Sequence, residues 1–422
     1  MRTFFVPYGT DHLELRLPET ALVDWIDPVD LPAPQGSGDL VCAALDTVIG
    51  APSLEAFRSA RSVAIAINDK TRPVPHDRIL PPLLERLDAL GLGPATRFYI
   101  ATGTHAPMLP GEFSSVLPES ILSRYPVVSH DCDDQNNLQF LGSTSRGTPI
   151  WVNRAFYQSD LKIVLGTIEP HHFAGFSGGY KTAAIGLAGR ETIAANHAML
   201  IDPHSRLSEF DQNPLRQDIE EIGEKIGVQY ALNVRLNGEK EVLAAYFGGP
   251  AHVLRSGMPE TRAATETRVQ SAYDLVITSP GGHPKDINFY QAQKAMTPAA
   301  MMTRDGGTVI LAAACPEGIG SPGYETFMEG VNSMDGVLEK FRAQGFRLGA
   351  HKALLVALIA RRVRLIVVSS MPPEMVGRLL LTPASDLSAA LALAGADSPA
   401  QSRIAILPHG ATTVPVITGG EG

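Results

Sequence analysis

A chain of 422 residues, 44% hydrophobic and 19% charged, has globular composition and the length of two domains. A formal charge of −9 without a basic run leaves no electrostatic footprint for nucleic acid, and no apolar stretch approaches the roughly 20 residues of a membrane span. Cys42, Cys132 and Cys315 are scattered, with no Cys-x-x-Cys spacing, which excludes a disulfide scaffold or a zinc ribbon. With no apolar leader at the N-terminus, the expectation is a cytoplasmic protein whose partners are small molecules.

In chain order, residues 3–18 read as a hairpin turning at Tyr8-Gly-Thr-Asp11. Apolar runs of β type follow at 62–67, 98–100, 161–165, 274–278, 309–313, 365–368 and 404–407, most of them ending in a Gly-, Pro- or polar-rich segment. Helical patterns lie between them at 80–89, 214–226, 292–302 and 337–344. Strands alternating with helices predict an α/β fold: two α/β domains with largely parallel sheets. The polar stretch 255–271 reads as a helical linker, which places an N-terminal domain at 1–260 and a C-terminal domain at 272–422. In such sheets ligands bind beyond the carboxyl ends of the strands, where the polar segments fall.

Most histidines (His12, His76, His130, His204, His252 and His409) sit in turn-like contexts and read as surface or capping residues. His105 differs, because it closes Ala-Thr-Gly-Thr-His directly after a strand, a place suited to an acid/base imidazole. The densest cluster is Glu169-Pro-His-His-Phe-Ala-Gly-Phe-Ser-Gly-Gly-Tyr-Lys181. Its Ser177 could be the centre of a nucleophile elbow, making the chain a hydrolase. Alternatively, Gly178 and Gly179 cradle a phosphate through backbone N–H groups, with Lys181 as counter-charge or nucleophile. His197 ends a short helix without a partner at metal-ligand spacing, so it could bind a metal only if a cofactor supplied the other donors. Gln291 and Lys294, three apart beside Tyr290, share a helical face able to bind carboxylate or phosphate. Asp69, Thr71 and Arg72 form a similar loop candidate.

Together these segments resemble the nickel-pincer-nucleotide lactate racemase family. The elements that carry the resemblance are Asn-Asp-Lys-Thr-Arg-Pro at 68–73, Gly-Thr-His at 103–105, the segment 170–181, His197, and Asn-Phe-Tyr-Gln-Ala-Gln-Lys at 288–294. The resemblance implies an active site in an interdomain cleft. It also implies a cofactor, pyridinium-3-thioamide-5-thiocarboxylic acid mononucleotide, covalently attached to Lys181, with nickel held by the pincer and by His197. His105 and His171 would then serve opposite faces of C2 of a 2-hydroxy acid, one deprotonating the hydroxyl while the C2 hydride moves to the cofactor. Asp69, Thr71, Ser177, Gly178, Gly179 and Tyr290 would bind the cofactor, and Arg72, Gln291, Lys294 and His351 the substrate. Transient partners would be the enzymes that make the cofactor. A non-catalytic, cofactor-binding role stays open beside the racemase and the hydrolase.

Lactate-specific members carry a tryptophan late in the C-terminal domain, whereas the tryptophans here are Trp25 and Trp151. The corresponding region holds His351 and Lys352, which suggests a 2-hydroxy acid with a polar or charged side chain, malate first, over lactate.

Overall fold

The computed structural model describes residues 1–28, 32, 37–347, 349–395 and 402–419; Leu348, in the segment expected to wall the substrate, lies outside them. The chain forms two units, one of Asp30–Ala264 and one of Met1–Val29 with Thr265–Gly422. Among the described residues no helix is long and apolar enough to cross a membrane.

The expected hairpin forms, with β1 (Arg2–Tyr8) antiparallel to β2 (Asp11–Leu17) and Tyr8 opposite Asp11. Its unit is not the expected one. Val6, Leu15 and Leu17 bury against Leu275, Ile277, Ile310, Ile366, Ile404 and Ile406, so the hairpin belongs with the C-terminal half. Strand β3 (Leu22–Trp25) likewise pairs with a C-terminal strand. Burial of these apolar residues starts the first unit near Asp30 rather than at residue 1.

In the first unit β4 (Val63–Asn68), β5 (Thr96–Ala101), β6 (Val127–Ser129), a ribbon of β7 (Leu138–Ser143) and β8 (Pro149–Asn153), and β9 (Leu161–Thr167) follow in turn. A two-residue ladder, β10 (Pro170–His171) with β11 (Gly175–Phe176), comes next, then β12 (Tyr230–Leu236) and β13 (Val242–Gly248). The main sheet has the order β13-β12-β9-β4-β5-β6, parallel except for β13. β4 is buried along almost its whole length, as the uninterrupted Val-Ala-Ile-Ala-Ile run requires of a strand covered on both faces. Helix His76–Ala89 covers it with Ile79, Leu80, Leu83 and Leu87, spaced for one helical face. From β4 the chain runs to β5 and β6 on one side, and β9 returns on the other. The β4–β9 boundary is therefore a topological switch point, where loops diverge and leave room for a ligand.

The C-terminal unit adds β14 (Glu266–Val269), β15 (Tyr273–Thr278), β16 (Thr303–Ala312), β17 (Arg364–Val368), β18 (Thr382–Ala384), β19 (Arg403–Leu407) and β20 (Val414–Ile417). Its main sheet, β18-β17-β16-β15-β19-β3, is parallel throughout. The expected linker helix divides. Pro250–Thr265 is helical and buries Val253, Leu254, Gly257 and Met258, and residues 266–269 form β14, paired with β20. The polar look of 255–271 hid a stripe of small and medium apolar residues at helical spacing.

Two histidines read as surface residues are interior. His130 bonds the Ala188 carbonyl, and His76 Nδ1 donates to the Val116 carbonyl at 2.7 Å. Burial pushes the His76 imidazole down to about 4, against weaker opposing effects of Val116 and Asp77. A folded value below the unfolded one of 6.5 means full stability above that pH and loss as pH falls toward 4. His76→Gln keeps a donor for Val116 but cannot charge. In urea unfolding between these pH values, the wild type should lose up to ~3 kcal/mol that the variant keeps. Parallel pH profiles for the two proteins would refute this.

Candidate active site

Three loops leave the adjacent strands β9, β4 and β5 at their carboxyl ends, and each carries one of the expected motifs. After β4, Asp69 is almost wholly buried (4% exposed), while His105, after β5, is 44% exposed. His105 Nδ1 donates to Asp69 Oδ2 at 2.7 Å, and the Thr71 hydroxyl donates to Asp69 Oδ1 at 2.6 Å. This redirects the sequence reading. Asp69 and Thr71, expected to grip a cofactor, are engaged with each other and with His105. Burial alone would raise the Asp69 carboxyl, but the bonds from His105 and Thr71 outweigh it and hold the group below the usual range. With Nδ1–H committed to a carboxylate, the neutral ring presents the Nε2 lone pair as a base. The pair is 36 residues apart in sequence and was legible only as two strand ends.

Beyond β9 the chain folds tightly back on itself. A Cβ at Gly175 (φ +70°) would lie 1.8 Å from the Glu209 carbonyl oxygen, so only glycine fits there. The Ser177 amide donates to the Glu169 carbonyl at 2.8 Å and the Gly179 amide to Asn233 Oδ1 at 2.7 Å. Of the two amides expected to cradle a phosphate, that of Gly179 is therefore bonded within the protein. The Ser177 hydroxyl is buried and has no hydrogen-bond partner. With no histidine to activate it, the nucleophile-elbow reading loses its basis.

Lys181 opens a one-turn helix, Lys181–Ala184. Burial, then Arg72 and Arg216, pushes its amine well below the usual lysine value, and Glu169 opposes this only weakly. His171 is likewise pushed well down, chiefly by burial and then by Lys181, Arg72, His172 and His197. Its Nδ1 accepts from the Ala174 amide at 3.2 Å, so the neutral ring carries its proton on Nε2. The Phe173 ring stands edge-on to His171, with centroids 4.5 Å apart, and lies 5.2 Å from His197. His197 is buried at the end of helix Arg190–Ala198, with Nδ1 3.0 Å from Asn196 Oδ1. Arg72, Lys181, His171 and His197 thus share one neighbourhood, in which like charges oppose one another.

The remaining expected residues lie in the C-terminal unit. Asn288 Oδ1 accepts from the Gln291 amide at 3.1 Å and caps helix Phe289–Ala292, and Lys294 Nζ donates to Gln291 Oε1 at 2.6 Å. Tyr290 stands edge-on to His351, with ring centroids 6.3 Å apart, and lies 5.6 Å from Lys352 Nζ. His351 is buried beside Phe346 as well, and burial, reinforced by Lys352, pushes it down to about 3. A neutral His351 can offer a polar substrate group a hydrogen bond, whereas a charged contact would fall to Lys352. Trp25, on edge strand β3, belongs to this unit but stacks on Phe4, 6.1 Å between centroids, and donates to Asp27.

A doubly wound sheet whose carboxyl edge gathers Arg72, Lys181 and differently anchored imidazoles has the make-up of an enzyme acting on a small molecule. Comparison with known proteins narrows that class. Residues 8–208 match the lactate racemase N-terminal domain and residues 269–416 the lactate racemase C-terminal domain. The chain is 29% identical to a lactate racemase of Thermoanaerobacterium thermosaccharolyticum over 98% of its own length and 99% of the relative's. It is 31% identical to a lactate racemase of Lactiplantibacillus plantarum over 67% of each chain. The apoprotein structure of lactate racemase from T. thermosaccharolyticum superposes with a TM-score of 0.90 at 28% identity, covering 98% of this chain and 100% of that one. The chain belongs to the lactate racemase family, and it is an isomerase of the racemase class.

A lysine whose pKa is lowered reacts at lower pH than an ordinary one. In competitive acetylation with acetic anhydride, Lys181 of cofactor-free protein should gain reactivity at lower pH than the exposed Lys240. Coincident profiles for the two lysines would show that Lys181 keeps an ordinary ammonium.

Proposed function

We propose that this protein inverts C2 of a 2-hydroxy acid, with a nickel-pincer nucleotide attached through Lys181. The observation that carries the reading is a lysine of suppressed charge set among imidazoles held by different partners. The residues fit such a group. Lowering of its pKa makes the Lys181 amine easier to acylate, and the unpartnered Ser177 hydroxyl suits a polar ligand atom. The Arg72 guanidinium, whose charge acts on both Lys181 and His171, suits a nucleotide phosphate or a substrate carboxylate. His197 would be the protein's nickel ligand, since a cofactor bringing its own soft donors needs only one. When bound, the group supplies an acceptor for the C2 hydrogen as hydride.

The chain's own part is proton handling and orientation. His105 Nε2 takes the hydroxyl proton of one enantiomer, and Asp69 stabilises the imidazolium that forms. His171 serves the opposite face. Arg72 is the anion-binding side chain nearest to both His171 and Lys181 in effect, since it depresses both. Tyr290, Gln291 and Lys294 keep in this proposal the binding roles that the resemblance gives them.

Protein made together with the cofactor-synthesis enzymes should carry a cofactor-sized mass increment on the peptide holding Lys181, absent in Lys181→Ala. His105→Ala and His171→Ala should keep the increment and lose about 10²–10⁴-fold in kcat. An unmodified Lys181 in active protein defeats the tether, and wild-type turnover in either histidine variant removes that histidine from the chemistry. Loaded protein that turns over no hydroxy acid would support the non-catalytic role instead.

Lactate is the substrate named for the relatives, and a polar-chain hydroxy acid is the alternative we favour, with Lys352 as its charged contact and the neutral His351 as a hydrogen-bonding one. A charge-assisted contact contributes roughly 1.5–3 kcal/mol, about tenfold to a hundredfold in kcat/KM. Malate should therefore exceed lactate by that order, and Lys352→Met should abolish the preference. Lactate ahead of every larger acid would show that the neutral Tyr290–His351–Phe346 group sets the specificity.

A further inference from the structure

The tautomer of His197 follows from a chain of hydrogen bonds that begins at the backbone. The Leu215 carbonyl can only accept, and Asn196 Nδ2 donates to it at 3.0 Å and to Asp218 Oδ2 at 2.9 Å. The Thr144 hydroxyl donates to the other carboxylate oxygen, Asp218 Oδ1, at 2.6 Å, and itself accepts from the Thr148 amide at 3.1 Å. Two pure acceptors thus hold the NH₂ end of Asn196, which turns its Oδ1 toward His197. That oxygen is also a pure acceptor, so the nitrogen 3.0 Å away, His197 Nδ1, must be the protonated one. Asn196 and Asp218 are both essentially inaccessible to solvent, so water cannot compete for these bonds.

We propose that Asn196 and Asp218 are positioning residues for metal binding: they hold His197 as the Nδ1–H tautomer and so present Nε2 as the ligating nitrogen. The proposal rests on the reading of His197 as the nickel ligand. A neutral imidazole offers a metal one lone pair, and a fixed donor bond at the other nitrogen selects which one and fixes the ring plane. Asp218 acts at one remove. Without its carboxylate, Asn196 keeps a single anchor at Leu215, and its amide can turn its NH₂ toward His197.

The test uses cofactor-free protein labelled with ¹⁵N-histidine, in which His197 is assigned by the signals lost in His197→Gln. The wild type should show protonated Nδ1 and unprotonated Nε2 at His197, and Asp218→Asn, which still offers Asn196 an acceptor oxygen, should preserve that pattern. Asn196→Leu and Asp218→Leu should lose the single tautomer. Their nickel-loaded forms should release nickel to a chelator about 10–100-fold faster than wild type, with Asp218→Asn close to wild type. A wild-type Nε2–H tautomer overturns the proposal, as does Asn196→Leu with unchanged ring signals and nickel retention. If the leucine variants do not fold, the wild-type and Asp218→Asn spectra still decide it. Nickel held equally well by His197→Gln would overturn the reading of His197 as ligand, while the hydrogen-bond chain would stand.

Discussion

Helix Pro214–Ile226 fixes most of what the first unit can do chemically. One face is apolar, with Leu215, Ile219, Ile222 and Ile226 buried, and the other buries three polar side chains at its start. Asn213 caps the helix through Oδ1 and passes Nδ2–H to the Phe173 carbonyl at 2.8 Å. Arg216, with no exposed surface, donates to the carbonyls of Phe176 at 3.0 Å and Gly178 at 3.2 Å and pairs with Glu220. Asp218 secures Asn196. A buried guanidinium is costly unless its charge is met, and Arg216 meets it through both terminal nitrogens while Nε has no partner, so the groups those nitrogens bind are constrained as strongly as it is. The loop between His171 and Lys181 is consequently held from below at residues 173, 176 and 178.

That constraint explains why the loop can be rich in glycine and still hold a geometry. Gly175, Gly178 and Gly179 all take positive φ, a conformation that costs other residues stability and leaves the chain little of its own to fix it. The order comes from outside the loop, from Arg216, Asn213 and Asn233. Arg216 has a second effect, since its charge helps to depress the Lys181 amine. Holding the loop and suppressing the lysine charge are thus two consequences of one buried cation.

Much of the fold was legible in the sequence, because its signals are local. Apolar runs of three to six residues ending in polar loops mark parallel strands, and β4, β5, β9, β15, β16, β17 and β19 lie where those runs fall. Helix Pro214–Ile226 was read with its limits, since Asn213-Pro214 starts it and Gly227, at φ +72°, ends it. What stayed hidden depends on distance through the fold. Nothing local pairs Asp69 with His105, or Asn196 with Asp218, 22 residues on. The hairpin of β1 and β2 has an ordinary alternating pattern and no mark of the unit it joins. The Gly179 amide looked available because Asn233, which takes it up from 54 residues away, is recognisable as its partner only in three dimensions.

The two histidines proposed for proton transfer are not equivalent, and the difference is one of hydrogen-bond sense. His105 gives its Nδ1–H to a buried carboxylate at 2.7 Å, so protonation at Nε2 yields an imidazolium with its counter-ion already in place. His171 receives a backbone N–H at Nδ1, 3.2 Å away, and has positive neighbours. A proton arriving at that nitrogen would face the Ala174 N–H, so for His171 to act as a base its ring must first leave Ala174. The bond that has to open is the longer one, between neutral groups, and so the weaker of the two. A racemase working through this pair has one base ready at rest and one that must be released, and its two directions need not share a rate-limiting step even though their ratio is fixed at equilibrium.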